Sequence, residues 1–205
     1  MSQTLTGLFD NYDDAKQAVS SLESAGVPHS DISIVASNAH GAHDATNETT
    51  TDHADNMAED AGKGAKIGAT VGGVGGLLAG LGLLAIPGLG PVVAAGWLAS
   101  TLVGAVGGAA IGGATGGLVG GLTDAGVPAE DAHVYAEGVR RGGTLVTARV
   151  PDEMATSAKT ILSGDKTVNI ATRRTDYQKQ GWTRFDEAAA PYSATEIERE
   201  RARTL

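Results

Sequence analysis

Three histidines near the end of the first fifth of the chain have the residue type and the neighbours of a metal site. His40, His43 and His53 stand close to acidic residues, and imidazole together with carboxylate is a common zinc ligand set. The segment around them is rich in Asn, Thr, Asp and Ala and shows no apolar period, so such a cluster is more often solvated composition than a site. We therefore predict no metal and no other cofactor. The acidic neighbours are Asp44, Asp52 and Asp55.

A second candidate is the phrase Arg140-Arg141-Gly142-Gly143, which offers two cations and two backbone amides to an anion. The same residues are typical of a helix C-terminus, where arginine complements the helix dipole and glycine ends the helix. We favour the helix end.

Catalytic patterns are missing from the sequence. Ser, His and Asp occur, but no serine stands in a nucleophile elbow or is paired with a base. The Gly-x-Gly steps, such as Gly73 with Gly75, never complete a dinucleotide fingerprint. The chain has no cysteine, which excludes disulfides and thiol chemistry. We predict that the protein is not an enzyme and has no catalytic residue.

The charge balance limits the partners. The formal net charge is −9, and no basic stripe is present, so we expect no nucleic-acid binding, which depends on Lys and Arg at phosphates. The first residues, MSQTLTGLFDNYDD, lack the basic and apolar regions of an export signal, which favours a cytoplasmic start.

Glycine is arranged with unusual regularity in the middle of the chain. Residues 67–123 contain no Asp, Glu, Lys, Arg or His. Two sets of glycines at four-residue intervals lie in and beside this run, and a chain that turns back near residue 92 places each glycine of one set opposite one of the other. They are Gly64, Gly68, Gly72, Gly76 and Gly80, then Gly104, Gly108, Gly112, Gly116 and Gly120.

The glycine spacing predicts a helical hairpin packed as a glycine zipper. Each helical glycine costs about 1 kcal/mol relative to alanine, so close packing of the two helices must compensate. Residues 67–86 are about long enough to cross a bilayer, residues 86–91 form the far turn, and residues 92–123 return. The return arm is longer than a span, so it has to tilt, break near Gly96 or protrude. Two alternatives to a transmembrane hairpin remain. One is a hairpin that is buried in an oligomer, and the other is a flexible glycine-rich segment.

Two β-α-β units flank this run. The first covers residues 4–36, with a strand at residues 4–9, and the second covers residues 144–172, with a strand at residues 144–150. Each helix has an apolar face at helical spacing, and each unit ends in a strand with alternating isoleucine or valine. The helix faces and end strands are Ala15, Ala18, Val19, Leu22 and Ile32, Ile34 in the first unit, and Met154, Ala158, Ile161, Leu162 and Val168, Ile170 in the second.

An extra helix at residues 128–139 precedes the second unit, with Ala132, Tyr135, Ala136 and Val139 facing inward. The predicted fold is α+β, a ferredoxin-like domain of two β-α-β units split by the inserted hairpin. The boundaries are 1–36 for the first half, 37–62 for an acidic disordered linker, 63–123 for the hairpin, 124–173 for the helix and second half, and 174–205 for a polar tail. Ser193 and Glu196 have the spacing of a capping box for a short helix in that tail.

Several phrases resemble a bacterial general-stress family, the heat-induced stress protein YflT-like group. They are Gly7-Leu8-Phe9-Asp10, Ala25-Gly26-Val27, Asp31-Ile32-Ser33, the apex Leu84 to Pro91, and Glu137-Gly138-Val139-Arg140-Arg141-Gly142-Gly143, with weaker similarity at Gly181-Trp182, Phe185-Asp186 and Pro191-Tyr192. The resemblance implies expression under stress and frequent membrane prediction. It implies no biochemical activity and supplies no catalytic residues.

These observations predict a non-enzymatic bacterial general-stress protein that is attached to the cytoplasmic membrane by its hairpin, with both termini on the cytoplasmic side. Membrane lipid and further copies of the chain are the expected partners. The alternatives are a self-assembling protein of the cytoplasm, whose hairpins pack together, and a ligand-responsive regulatory module.

Overall fold

Five antiparallel strands and seven helices make up the part of the chain that the computed structural model describes, residues 2–39, 82–107 and 117–204. The sheet has the order β1-β5-β2-β4-β3, so β1 and β3 are its two edge strands. The α+β class predicted from the sequence is confirmed. The strands are β1 (Ser2–Phe9), β2 (Ile32–Ser37), β3 (Gly82–Ile86), β4 (Gly90–Gly96) and β5 (Thr144–Pro151). The helices are α1 (Tyr12–Ser24), α2 (Trp97–Gly107), α3 (Leu118–Asp124), α4 (Ala129–Arg140), α5 (Asp152–Leu162), α6 (Ile170–Lys179) and α7 (Ala194–Thr204).

Both faces of the sheet are covered, and each face has its own apolar core. Helices α1 and α5 pack on one face, where Ile34, Val146 and Ala148 are buried. Helices α2, α3 and α4 belong to the core of the other face, together with Val35 and Leu145. Neighbouring residues of β2 and β5 thus serve opposite cores, as the period of two in a strand requires.

The predicted helix faces are confirmed by their burial. In α1 all four predicted residues are buried, and the helix begins where the Asn11 side chain accepts a hydrogen bond from the Asp14 amide, 2.8 Å away. In α4 all four predicted residues are also buried. In α5 two are buried, and Met154 and Ile161 pack at the margin of the core.

The capping box of α7 is present. The Ser193 amide donates to a Glu196 carboxylate oxygen over 2.8 Å, and the Glu196 amide lies 3.4 Å from the Ser193 hydroxyl. These hydrogen bonds to Ser193 lower the pKa of Glu196.

The helical hairpin predicted for residues 63–123 is not confirmed: residues 82–86 and 90–96 are strands, whereas α2 and α3 in the predicted return arm are helical. Its apex is a β-hairpin, in which β3 and β4 pair from Gly82↔Ala94 to Ile86↔Gly90. Strand β4 also pairs with β2 from Ser33↔Gly96 to Ser37↔Val92. The apex thus extends the main sheet, because β2 presents backbone groups that need partners and the valines Val92 and Val93 suit a buried strand.

Helical structure begins only after Gly96, where the positive φ of 85° ends β4 and α2 follows. The described part of the chain contains no helix with the length and apolar character that a membrane crossing requires.

The predicted helix-packing glycines fall in three groups. Gly64, Gly68, Gly72, Gly76, Gly80, Gly108, Gly112 and Gly116 lie outside the described residues. Gly104 is in α2, and Gly120 is buried in α3. Beside it, a Cβ on Gly121 would stand 3.1 Å from the Leu98 side chain, so α3 packs closely on α2.

The predicted last strand, with Val168 and Ile170, is also wrong. Thr167 forms a single bridge with Phe9, and the Val168 amide donates to the Leu8 carbonyl over 2.8 Å. Ile170 then begins α6, because the Asn169 side chain caps that helix by accepting from the Thr172 amide.

Candidate functional site

Three residues with charged side chains are buried in the described part of the chain, and they meet in one place. Glu137 lies on α4, Arg141 directly follows α4, and Glu200 is on α7 near the C-terminus. Glu137 is completely buried, and Arg141 and Glu200 are each 6% exposed. We refer to these three residues as the buried charge cluster.

Arg141 is the centre of this cluster. Its Nε donates to Glu137 Oε1 over 2.6 Å, and its Nη1 donates to Glu200 Oε1 over 2.7 Å. The same Nη1 lies 2.5 Å from the Gln180 side-chain oxygen. Arg140 adds a second cation through Nη2, 3.0 Å from Glu137 Oε1. Two guanidinium groups therefore face two carboxylates, and buried charges are tolerated when they are paired in this way.

Aromatic rings enclose the guanidinium groups. The Arg141 Cζ lies 4.1 Å from the centre of the Tyr177 ring and 5.5 Å from that of Tyr192. Arg140 lies over Tyr192 at 4.9 Å. Trp182 packs edge-on against Tyr177, with 5.7 Å between ring centres. These cation–π contacts are stronger where water is excluded, as it is at Arg141.

The groups of this site hold their protons firmly. Burial by itself lowers the pKa of Arg141, but the hydrogen bonds to Glu137 and Glu200 outweigh it and raise the pKa above its usual value. Burial raises the pKa of Tyr177 to about 12 in spite of the nearby Arg173 and Arg141. Neither Arg141 nor Tyr177 exchanges a proton near neutral pH, so neither side chain is suited to act as an acid or a base there. The ion pair of Arg141 with Glu200 instead binds the tail.

Gly142 allows α7 to lie directly on the end of α4. Its φ is +96°, the left-handed conformation that ends a helix, and a Cβ there would stand 2.2 Å from Ile197 Cγ2. The Arg201 Nη2 donates to the Gly142 carbonyl over 3.1 Å. The expectation that Arg140-Arg141-Gly142-Gly143 is a helix end is confirmed. The anions that meet Arg141 are the carboxylates of Glu137 on α4 and of Glu200 in the chain's own tail.

The tail also covers the β3–β4 turn. A Cβ on Gly88 would stand 2.8 Å from the Asp186 carbonyl oxygen, and one on Gly90 would stand 2.7 Å from the Pro191 Cβ. Phe185 is buried in the core beneath this crossing. The apex phrase of the sequence is therefore a surface on which the tail lies.

Helix α6 connects the tail to two further elements. Arg173 Nη2 donates to Asp10 Oδ2 over 2.7 Å, and this hydrogen bond outweighs the effect of burial and raises the pKa of Arg173. Arg174 forms a salt bridge with Asp131 and lies 3.4 Å from a Glu130 carboxylate oxygen, both in the first turn of α4.

An open cavity of about 560 Å³ lies beside Tyr177 and Glu200. Its cations already have carboxylate partners: Lys179 Nζ lies 2.8 Å from Asp176, and Arg203 Nη1 lies 3.4 Å from Glu200. We assign no ligand to it. The histidines of the first metal candidate lie outside the described residues, and within residues 2–39, 82–107 and 117–204 no other acidic or histidine cluster has the arrangement of a metal site.

Sequence reasoning did not find the buried charge cluster. Glu137 stands four residues before Arg141, a spacing that favours a helical ion pair and was visible in the sequence. Glu200 is 59 residues from Arg141, and no local pattern links the two.

Comparison with known proteins supports the resemblance noted in the sequence. Residues 4–84 match the family described as the heat induced stress protein YflT domain. No curated protein and no solved structure matches the chain. The matched region includes β1, α1 and β2, and it ends within β3. The similarity to the heat-induced stress protein YflT domain thus covers the N-terminal region of the chain, up to residue 84.

Proposed function

We propose that the chain is a non-enzymatic general-stress protein whose α+β body is closed by its own C-terminal tail. The family name supports the stress role. The buried charge cluster carries the rest of the proposal, because it holds the tail against α4.

Catalytic sites usually keep a titratable group with a perturbed pKa in a cleft, free to meet a substrate. The buried charges of this chain are instead bonded to one another. Glu137 and Glu200 share the guanidinium of Arg141, and two tyrosine rings cover its faces. This arrangement favours a role in which the folded surface itself acts, by binding or assembly.

Graded expression in a bacterial strain that lacks the gene tests the proposal. A protein that acts by binding is consumed in proportion to its targets, so survival after heat stress should rise steadily with the amount of protein. Full protection from a trace of protein would show turnover and would overturn the non-enzymatic assignment. At equal protein levels Arg141→Met should protect less than the wild type, and Arg203→Met, at an exposed position, should protect normally.

The membrane-attached form of this proposal has little support in the described residues. A transmembrane hairpin needs its apex on the far side of the bilayer, but β3 and β4 belong to the same sheet as β1 and β5. The apex also contacts Asp186 and Pro191 of the polar tail. Carbonate extraction of membranes is the direct test: protein that remains in the pellet would restore the membrane-attached form.

We also infer a ferredoxin-like origin for the central strands. Strand β5 lies between β1 and β2 and is antiparallel to both, and the two helices α1 and α5 share one face. The bridge from Thr167 to Phe9 stands where a fourth strand would pair. An experimental structure in which residues 166–169 leave the β1 edge would contradict this relationship.

A further inference from the structure

The outer edge of β1 is a stretch of strand backbone that the described residues leave mostly unpaired. On its inner side β1 pairs with β5 over its whole length, from Ser2↔Pro151 to Phe9↔Thr144. On its outer side the backbone of the described chain pairs with it only near its end, where the Val168 amide donates to the Leu8 carbonyl.

The contact between Val168 and Leu8 shows which backbone amides and carbonyls of β1 point away from β5. Since the Leu8 carbonyl points outward and strand residues alternate in direction, the backbone groups of Ser2, Thr4 and Thr6 also point outward. The Thr6 carbonyl accepts a long hydrogen bond of 3.3 Å from the Tyr135 hydroxyl. Apart from this contact, none of the described residues supplies a hydrogen bond to these outward groups.

This edge lacks the devices that usually prevent pairing with another strand. Proteins protect exposed edges with charged residues, proline or bulges. Strand β1 reads SQTLTGLF, without charge or proline, and it pairs with β5 without a bulge. In a chain with a net charge of −9, an uncharged strip is where two copies can approach with little repulsion.

The position of residues 167 and 168 limits the length of β1 that a partner strand can pair with. They occupy the edge at Leu8 and Phe9, so a partner strand has only residues 2–6 to pair with. A two-fold axis at Thr4 fits this length, because it places Thr4 opposite Thr4 of the other copy and Ser2 opposite Thr6. Opposite threonines are a favourable cross-strand pair.

A buried hydroxyl supports the same register. The Thr6 Oγ1 is buried and has no hydrogen-bond partner in the described structure. It lies beside a cavity of about 250 Å³ that is lined by Tyr135, Leu162 and Thr167. In the proposed register the Ser2 side chain of the second copy stands opposite Thr6 on the same face of the sheet, where its hydroxyl can donate to Thr6 Oγ1.

We propose that a second copy of this chain adds its β1 antiparallel to this edge, about a two-fold axis at Thr4, and forms a continuous sheet of two five-stranded halves. An isologous contact of this kind closes as a dimer. It is separate from the tail contacts and does not depend on the proposed stress role.

The full chain is suited to a cross-linking test because it contains no cysteine. Thr4→Cys places two thiols opposite each other in the proposed dimer, within reach of a short bismaleimide linker. Thr160→Cys, on the exposed face of α5, is the matched control. We expect a covalent dimer from the variant at position 4 and none from the variant at position 160.

Sedimentation velocity gives a second, independent measurement. Thr4→Lys puts two like charges directly opposite each other, so it should raise the dimer dissociation constant severalfold, while Thr160→Lys should leave it unchanged. Three results would overturn the proposal. The first is a monomeric wild type, and the second is a failure of the thiols at position 4 to cross-link. The third is an unchanged dissociation constant for Thr4→Lys, provided that this variant keeps its circular dichroism spectrum. If Thr4→Lys does not fold, the cross-link at position 4 decides.

Discussion

Replacing Arg141 by methionine should destabilise the protein more than any change of an exposed charge. The substitution leaves Glu137 completely buried and Glu200 only 7% exposed by side chain, and both lose their strongest partner. Breaking a buried ion pair by removing one partner costs about 3–5 kcal/mol. The loss here should lie near the lower end of that range, because Arg140 still contacts Glu137 and Arg203 still contacts Glu200. This is a large part of the roughly 5–15 kcal/mol that stabilises a typical domain.

Arg203→Met is the matched control for this change. Arg203 pairs with the same carboxylate, Glu200, at 3.4 Å, but its side chain is 65% exposed. Solvent screens such a pair, so its loss should cost less than about 1 kcal/mol. The two variants remove the same residue type from Glu200, but only Arg141 is buried and also bonds Glu137 and Gln180.

Urea unfolding followed by tryptophan fluorescence measures both effects. Trp182 lies against Tyr177 in the tail, and Trp97 begins α2 in the body, so single-tryptophan backgrounds report on each region. We expect Arg141→Met to lower the midpoint for both tryptophans and most strongly for Trp182. If Arg141→Met and Arg203→Met lower the free energy of unfolding equally, the buried charge cluster does not hold the tail and this reasoning is wrong.

Two further predictions separate the contributions to tail docking. Gly142→Ala should destabilise more than Gly181→Ala. Both glycines have positive φ, so both substitutions carry a strain cost of about 1–2 kcal/mol. Only the Cβ at position 142 would also clash with another side chain, that of Ile197. Equal losses in urea unfolding would refute the close approach of α7. Burial raises the pKa of Tyr135 and Tyr177 to about 12 from an ordinary 10. Their contribution to folded stability should therefore be constant below about pH 10 and be lost between about pH 10 and 12, as the unfolded tyrosines ionise first. Tyr135→Phe should make that loss smaller, and a slope unchanged by it would contradict the shift.

The parts of the fold that follow from local pattern were predictable. The face of α1 is set by apolar residues that recur every three or four positions, and its start is set by Asn11, so no distant contact is needed to find them. The same is true of the capping box of Ser193 and Glu196. These elements lie within one or two helical turns of the residues that determine them.

The centre of the uncharged run was not predictable from local pattern. Residues 82–96 are small and apolar, and such residues fit a packed helix or a buried strand equally well. The strand conformation is determined by β2, because β4 pairs with the free edge of β2 from residue 92 to residue 96. Pairing between segments this far apart leaves no periodic signal in either of them.

The glycines at the apex form a turn within residues 86–91, where the sequence predicted one, but this turn joins two strands instead of two helices. Gly88 and Gly90 have φ values of +75° and +80°, so they form the turn between β3 and β4 and cannot belong to a helix. At the same two positions the tail approaches so closely that no side chain would fit. The residues that make the turn are therefore the residues that accept the tail, which means that the apex and the tail constrain each other. A substitution at Gly90 should disturb the contact with Pro191 even if the turn forms. Docking of the tail therefore depends on the β3–β4 turn of the sheet as well as on α7.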